Sequence, residues 1–395
     1  MSDIQLAILG GKASFQQALP IGQLYFPEWD AYERAMRGIF DRQYYTNQGP
    51  LTQQLEERLQ HYLGVKHAIC VTNATIGLMM AAEALELEGK VATPAFSFIA
   101  TSQSLSWTGL EPVFCDVDPV THQLCPERLA ERLQQEKISA ILAVNLWGDT
   151  CNYSALEKLA SEYGIPLYYD SAHAFGCAVG ERQVGNFGSM EVFSFHATKV
   201  LSAAEGGCVC TNDDVIAGRL RNIRSSYGAG AAVPVKRTSN GRMSEAQAAI
   251  ALLSLEEFPA ILERNGRLFT TYEEQLKGVD GVHLVKPLRV SKTNYQYVVC
   301  EIDSEKFGLT RDQLIAVLSA ENVKARRYFY PGIHRCPPYG SQSSQSTLAV
   351  TEALCDRVLQ LPIGNAITEA DAARIAAIIR LAGERAEAVR NVLGS

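Results

Sequence analysis

Lys199 stands in the run VFSFHATKVLSAAEGG, where an apolar, strand-like stretch (192–195) leads to it and the small residues Ser202, Ala203 and Ala204 follow. A lysine that sheds its proton can attack an aldehyde to form an imine and later carry a proton to and from carbon. Desolvation against an apolar wall lowers its pKa enough to permit both. Asp170 closes the apolar run PLYYD. A carboxylate at the end of a buried strand is costly unless paired, and a protonated pyridine nitrogen is a fitting partner. His173, three residues on, is placed to reach a phenolic oxygen on the same ring. Asn73, Ala74 and Thr75 separate a strand-like run from a helical one, and small residues there leave helix-start N–H groups free for a phosphate. Ser194, five residues before Lys199, adds a hydroxyl, and Phe98 in PAFSFIAT offers a flat face for an aromatic ring. Singly, each has a plainer explanation: a solvated lysine, a helix cap, a structural histidine, a core phenylalanine. In this order they describe a site for pyridoxal 5′-phosphate (PLP).

Those residues need a frame. Leu51, Leu55, Leu59 and Leu63 form one stripe of a helix that Gly64 ends. Strand-like runs follow at 67–72, 90–94, 112–118, 138–147, 166–172, 192–195 and 207–211, separated in most cases by helical segments of about 10–15 residues. This is the signature of βαβ units, so the expectation is an α/β fold with a mostly parallel sheet flanked by helices. From about residue 244 the pattern changes to a long helix interrupted at Pro259, then a strand (294–302), a helix from Thr310, strand-like VKARRYFY and one final helix from Thr368. The division expected is a large domain over 1–255, N-terminal segment included, and a smaller α+β domain over 256–395. The 226–241 segment is long for a loop and is expected to be mobile or functional.

Composition narrows the function classes. The chain has 395 residues and a net charge of −7, and its one cluster of basic residues is Lys324, Arg326 and Arg327, which argues against nucleic acid as partner. The ten cysteines include no CxxC pair, so no metal site is expected and reduced thiols in a cytoplasmic enzyme are the default. The charge-free stretch 91–110 is long enough for a membrane span, but its Pro and many hydroxyl residues fit a strand, a turn and a helix start; no membrane association or secretory signal is expected.

With FSFHATK and EGG, YYDSAHAFG, TNATIGL and TPAFSFIAT, joined by YYTNQGPLTQQLEERL and ARRYFYPGIHRCPPY, the chain resembles the DegT/StrS sugar-nucleotide aminotransferases of PLP-dependent transferase fold type I. The resemblance runs from about residue 40 to the C-terminus. It implies that Lys199 is the Schiff-base lysine, that Asp170 pairs with the pyridine nitrogen, and that His173 lies near the phenolic oxygen. It further implies that Ala74, Thr75 and Ser194 bind the phosphate and that Phe98 stacks on the ring. Asn240 resembles the asparagine that reaches the phosphate from a neighbouring subunit, which implies a homodimer with shared sites. His196, Lys324, Arg326, Arg327 and Tyr328 are the candidate substrate-binding residues, the cations suiting a diphosphate. The implied reaction moves an amino group from L-glutamate to a nucleotide-linked keto sugar, C4 of dTDP-4-keto-6-deoxyglucose by similarity to the subgroup carrying NLWGDTC and AHAFGC, with a place in lipopolysaccharide O-antigen biosynthesis. Amination at C3, an aminocyclitol ketone as acceptor, and a PLP-binding regulatory protein stay open as alternatives. Two positions depart from the family, Ala74 and Ala204, where glycine is common; Ala204 is expected to narrow the space near Lys199 or to shift the turn.

Overall fold

The alternating apolar and helical runs assemble, in a computed structural model that describes residues 5–227, 233–341 and 348–394, into a seven-stranded sheet packed by helices. Residues 228–232 of the 226–241 segment lie outside the described residues. After α1 (Trp29–Arg42) and α2 (Pro50–Leu63), the chain runs β1 (His67–Val71), α3 (Ala74–Ala84), β2 (Lys90–Pro94), α4 (Ile99–Trp107), β3 (Glu111–Cys115) and α5 (Pro126–Gln135). It continues through β4 (Ile138–Val144), α6 (Tyr153–Tyr163), β5 (Leu167–Asp170), a short hairpin of β6 (Ala178–Val179) and β7 (Arg182–Gln183), β8 (Glu191–Ser194), β9 (Gly207–Thr211) and α7 (Asp214–Ser225). The strand order is β1-β9-β8-β5-β4-β2-β3, and β9 alone runs against the rest. Adjacent residues of β8 enter different cores: Val192 packs with Leu78 and Met80 of α3, Phe193 with Leu55 of α2. That alternation is what a sheet covered on both faces requires.

The leucine stripe of α2 behaves as its spacing demands, with Leu55, Leu59 and Leu63 buried, each contributing about 1.5–3 kcal/mol. Gly64 caps the helix at φ 65°, a left-handed conformation that glycine adopts freely. At the other end the buried Glu245 carboxylate accepts the N–H groups of Leu51 and Thr52 at 2.9 and 3.0 Å, supplying partners that a helix start lacks.

Glu245 begins α8 (Glu245–Leu276), which differs from the expected interrupted helix by running unbroken through Pro259. Proline inside a helix costs about 3 kcal/mol. Here Leu255, Phe258 and Ile261 bury in one core while Leu268, Phe269, Tyr272 and Leu276 bury in another, and that burial outweighs the cost. Beyond it lie β10 (Val282–Leu284), β11 (Val298–Ile302), α9 (Ser304–Phe307), α10 (Arg311–Ala320), β12 (Arg326–Arg327), α11 (Ala349–Arg357), β13 (Val358–Leu361), α12 (Glu369–Glu384) and α13 (Ala386–Leu393). The last two replace the single final helix expected: the chain turns at Arg385, just after Gly383, and Val389 of α13 reaches the core. The second sheet has the order β10-β11-β13-β12.

The expected boundary at residue 255 falls inside α8, and the N-terminal segment spans both parts: Tyr25 joins the core beneath β8 and β9, while its beginning packs on the C-terminal core. Leu6 and Phe15 join that core, and the Glu321 carboxylate accepts the N–H groups of Ala7 and Ser14 at 2.6 and 2.7 Å. Among the described residues no helix is long and apolar enough to cross a membrane, and no group of His, Cys, Asp and Glu could hold a metal ion.

Candidate active site

The carboxyl ends of β5 and β8, neighbours in the sheet, open onto a cavity of about 520 Å³. Ligands of open α/β sheets bind at such ends. Asp170 is the last residue of β5 and Ser194 the last of β8; Lys199 lies on the loop that returns to β9. That loop is stitched by backbone bonds, Ala203 N–H to Phe195 C=O at 2.7 Å and Ala197 N–H to Ala204 C=O at 2.8 Å, so the lysine is presented from a fixed frame.

Lys199 Nζ donates to the Tyr297 hydroxyl at 2.9 Å. Burial lowers the ammonium below the usual lysine range, opposed by Tyr328 and Asp170 and assisted by Arg326. Asp170 is buried, with Oδ2 accepting from the Thr101 hydroxyl at 2.8 Å and Oδ1 from the Ala172 N–H at 3.2 Å. Its carboxyl is raised by burial, while Thr101, Ala172 and Lys199 pull it back. His173 is held well below the ordinary histidine range by burial and then by Lys199, so its ring is neutral. Its Nδ1 has no hydrogen-bond partner among the described residues.

Across the cavity α3 starts with Asn73 as its cap, Oδ1 accepting the Ile76 N–H at 2.9 Å. The first-turn N–H groups of Ala74 and Thr75, which the helix itself cannot satisfy, lie at the cavity wall. Gly207 makes this approach possible, since a Cβ there would stand 2.9 Å from the Ala74 nitrogen. Phe98 sits at the mouth, 60% exposed, as the residue preceding α4. His196, with Nδ1 2.8 Å from the Thr198 hydroxyl, lines the cavity too, as do Arg326 and Tyr328, joined by a 2.7 Å hydrogen bond from Arg326 Nη1 to the Tyr328 hydroxyl.

Three expected residues do not line this cavity. Lys324 is exposed on the approach to β12. Arg327 points opposite to Arg326, as successive strand residues must, and pairs with Asp312 at 3.1 Å. Asn240 is exposed and accepts from Arg242 Nε at 2.9 Å. Its expected role lies across a subunit boundary, so a place outside its own cavity is what that role needs.

Sequence reasoning passed over Tyr297, Thr101 and Glu191. Thr101 carried a signal, since it belongs to the PAFSFIAT segment. Tyr297 carried none, because it arrives from 98 residues downstream of the lysine it contacts. Glu191, fully buried beneath the site, accepts from the Gly185 and Phe187 N–H groups at 2.6 and 2.9 Å and from Ser171. Burial pushes its carboxyl up to about 7, with Ser171 and the two N–H groups opposing.

Ala204 occupies the left-handed region at φ 62°. An alanine there costs about 1–2 kcal/mol, of which glycine returns roughly 0.4–1 through the greater freedom of its unfolded chain. Ala204→Gly is expected to raise stability by about 1 kcal/mol, read as a higher urea midpoint at unchanged slope; a lower midpoint would refute the strain at this turn.

A model of the DegT/DnrJ/EryC1/StrS aminotransferase family matches residues 30–380. The chain belongs to that family. It is therefore an aminotransferase, and the fold and cavity agree with that. It is 34% identical over 326 residues to a dTDP-4-amino-4,6-dideoxy-D-glucose transaminase of Shigella dysenteriae, covering 82% of this chain and 88% of the relative. A transaminase of the same name from Escherichia coli is 32% identical over 89% of this chain and 95% of its own length. Among solved structures, that of DesI in the presence of its TDP-sugar product superposes with a TM-score of 0.93 at 40% identity, covering 99% of both chains.

Proposed function

We propose that this aminotransferase uses PLP to move an amino group from L-glutamate to C4 of dTDP-4-keto-6-deoxyglucose. The observation that carries the reading is the meeting, in one cavity, of a desolvated lysine, a buried carboxylate and a helix start. The residues suit PLP on independent grounds. The His173 Nδ1 is a buried polar atom without a partner, Asp170 is a buried acid lacking a full counter-charge, and Gly207 keeps the helix start clear of any Cβ.

When bound, PLP supplies an electron sink and a carrier for the amino group. Lys199 would hold it and carry the proton, its ammonium disfavoured by burial and its Nζ oriented by Tyr297. Asp170, steadied by Thr101, would keep a pyridine nitrogen protonated. Neutral His173 would donate to a phenolic oxygen. Ala74 and Thr75 N–H groups and the Ser194 hydroxyl would hold the phosphate, and Phe98 would cover the ring face and exclude water. Arg326 with Tyr328 meets the sugar diphosphate, and His196 flanks it. Lys324 and Arg327 would add only long-range charge. The acceptor follows the names of the transaminases from Shigella and Escherichia and the TDP-sugar product in whose presence DesI was solved.

The exposed side chains of Phe26, Phe40, Tyr44 and Tyr45 favour burial against a second copy, and a homodimer in which Asn240 serves the partner's phosphate fits this. All ten cysteines are free thiols, which suits a reducing cytoplasmic setting. The test is product analysis by mass spectrometry. The cofactor-loaded protein with glutamate and dTDP-4-keto-6-deoxyglucose should give 2-oxoglutarate and the 4-amino sugar nucleotide. Turnover confined to a 3-keto sugar nucleotide or an aminocyclitol ketone would overturn the acceptor, and no turnover with any donor or acceptor would overturn the enzyme reading in favour of a regulatory PLP protein.

A further inference from the structure

Of the three tryptophans, Trp29 and Trp107 are exposed, while Trp147 is buried with its backbone in the left-handed region at φ 62°. Gly148 follows at φ 76° and the Asp149 N–H returns to the Leu146 C=O at 2.9 Å, so both central residues of this turn are left-handed. Glycine and asparagine favour such turns; a bulky tryptophan does not, and strain of this kind persists only where surrounding contacts enforce it.

Phe96, Tyr297, Tyr328 and Phe329 pack on the indole, and His122 makes the hydrogen bond to its N–H. The His122 Nδ1 lies 3.2 Å from the Trp147 Nε1. An indole N–H can only donate, so Nδ1 must offer a lone pair, and the imidazole proton therefore resides on Nε2. Nε2 faces Glu301 Oε1 at 3.0 Å, and Glu301 Oε2 pairs with Arg357 Nε at 2.6 Å. The buried His122 ring is thus satisfied at both nitrogens, and these two hydrogen bonds fix its orientation between Trp147 and Glu301. The Trp147 ring then lies against His173 at 5.4 Å between centroids and is stacked on Phe329 at 5.4 Å and 16°. Both of those residues line the cavity.

We propose that His122 is a positioning residue for amino transfer: as a neutral imidazole it fixes the Trp147 indole, which in turn fixes His173 and Phe329 at the cavity wall. The proposal rests on the aminotransferase reading of that cavity. His122 does not line the cavity; it acts through its hydrogen bond to Trp147 and, by the edge contact with Phe96 at 5.6 Å between centroids, on the same Phe329.

His122→Leu removes the acceptor at similar volume, and His122→Gln keeps both an acceptor for the indole and a donor for Glu301. In a Trp29→Phe, Trp107→Phe background, Trp147 is the sole tryptophan and is excited selectively beyond the tyrosine absorption band. His122→Leu should move its emission to shorter wavelength, as an indole losing its hydrogen bond does, and His122→Gln should restore it. In the otherwise unaltered enzyme, His122→Leu should lower kcat by about 10- to 100-fold, the loss expected of a misplaced catalytic group, with KM little changed, and His122→Gln should recover most of the rate. If His122→Leu fails to fold, Trp147→Phe supplies the test. Without the indole N–H it should lower kcat by a similar factor with KM little changed, and a Trp147→Phe enzyme with wild-type kcat would overturn the proposal. Equal impairment by Leu and Gln, or unchanged emission in His122→Leu while the wild type turns over normally, would overturn this role alone. A wild type without amino transfer would overturn the reading of the cavity and this role with it.

Discussion

Lys199→Ala should abolish measurable amino transfer and the visible absorption of bound cofactor, while the protein stays folded. Loss of a positioned proton carrier alone costs about 10²–10⁴-fold, and the covalent hold on the cofactor goes with it. The fold should tolerate the change, because burial already disfavours the charged amine and the truncation leaves no buried ammonium without water. The Tyr297 hydroxyl loses its partner in the exchange. The measurements are single-turnover rates with glutamate, absorption spectra and thermal melts. A small primary amine in solution should restore part of the rate, since it can carry the proton without the chain. A variant retaining even a tenth of wild-type turnover would remove Lys199 from the chemistry.

Asp170→Asn separates function from stability in the opposite sense to most core changes. Asparagine Oδ1 still accepts the Ala172 N–H, and its Nδ2 can donate to the Thr101 hydroxyl, which then donates to Ser97, so the local packing survives. What goes is the charge that keeps a pyridine nitrogen protonated, and loss of one such preorganised electrostatic partner costs about 10²–10³ in kcat. The sign for stability follows from linkage. The folded-state pKa of Asp170 is raised above its unfolded value, so its contribution is full below the unfolded pKa and falls away as pH rises through the folded pKa. At neutral pH the ionised carboxylate is thus a net cost to the cofactor-free fold. Cofactor-free Asp170→Asn should melt no lower than the wild type at pH 7, and the difference should shrink on acidification. A cofactor-loaded variant with wild-type kcat would contradict the assignment, and a variant that melts well below the wild type at pH 7 would contradict the electrostatic account.

How much of this was legible beforehand depended on range. Residues tied to the ends of apolar runs could be read directly: Asp170 closes β5, Ser194 closes β8, and Asn73 caps α3, because burial and capping are local consequences of local composition. The leucine stripe of α2 and the parallel sheet followed from period alone. Proline 259 misled, because its penalty is local whereas the burial that outweighs it comes from two cores far apart in the chain. Leu6 and Phe15 could not be assigned to the C-terminal core, since nothing near them in sequence names the surface they cover. Arg327 failed as a cavity residue for a similar reason. Its spacing from Arg326 mattered only once the strand they share was known.

The 2.9 Å contact between Lys199 and Tyr297 joins two parts of the chain that hang from different sheets. The lysine belongs to the loop leading into β9 and the tyrosine to the segment entering β11. A hydrogen bond tolerates only a few tenths of an ångström before it weakens. The reactive amine is therefore a gauge of how the two sheets are registered against each other. Any binding event that slides one past the other is felt first at the nitrogen where the chemistry begins, with no messenger in between.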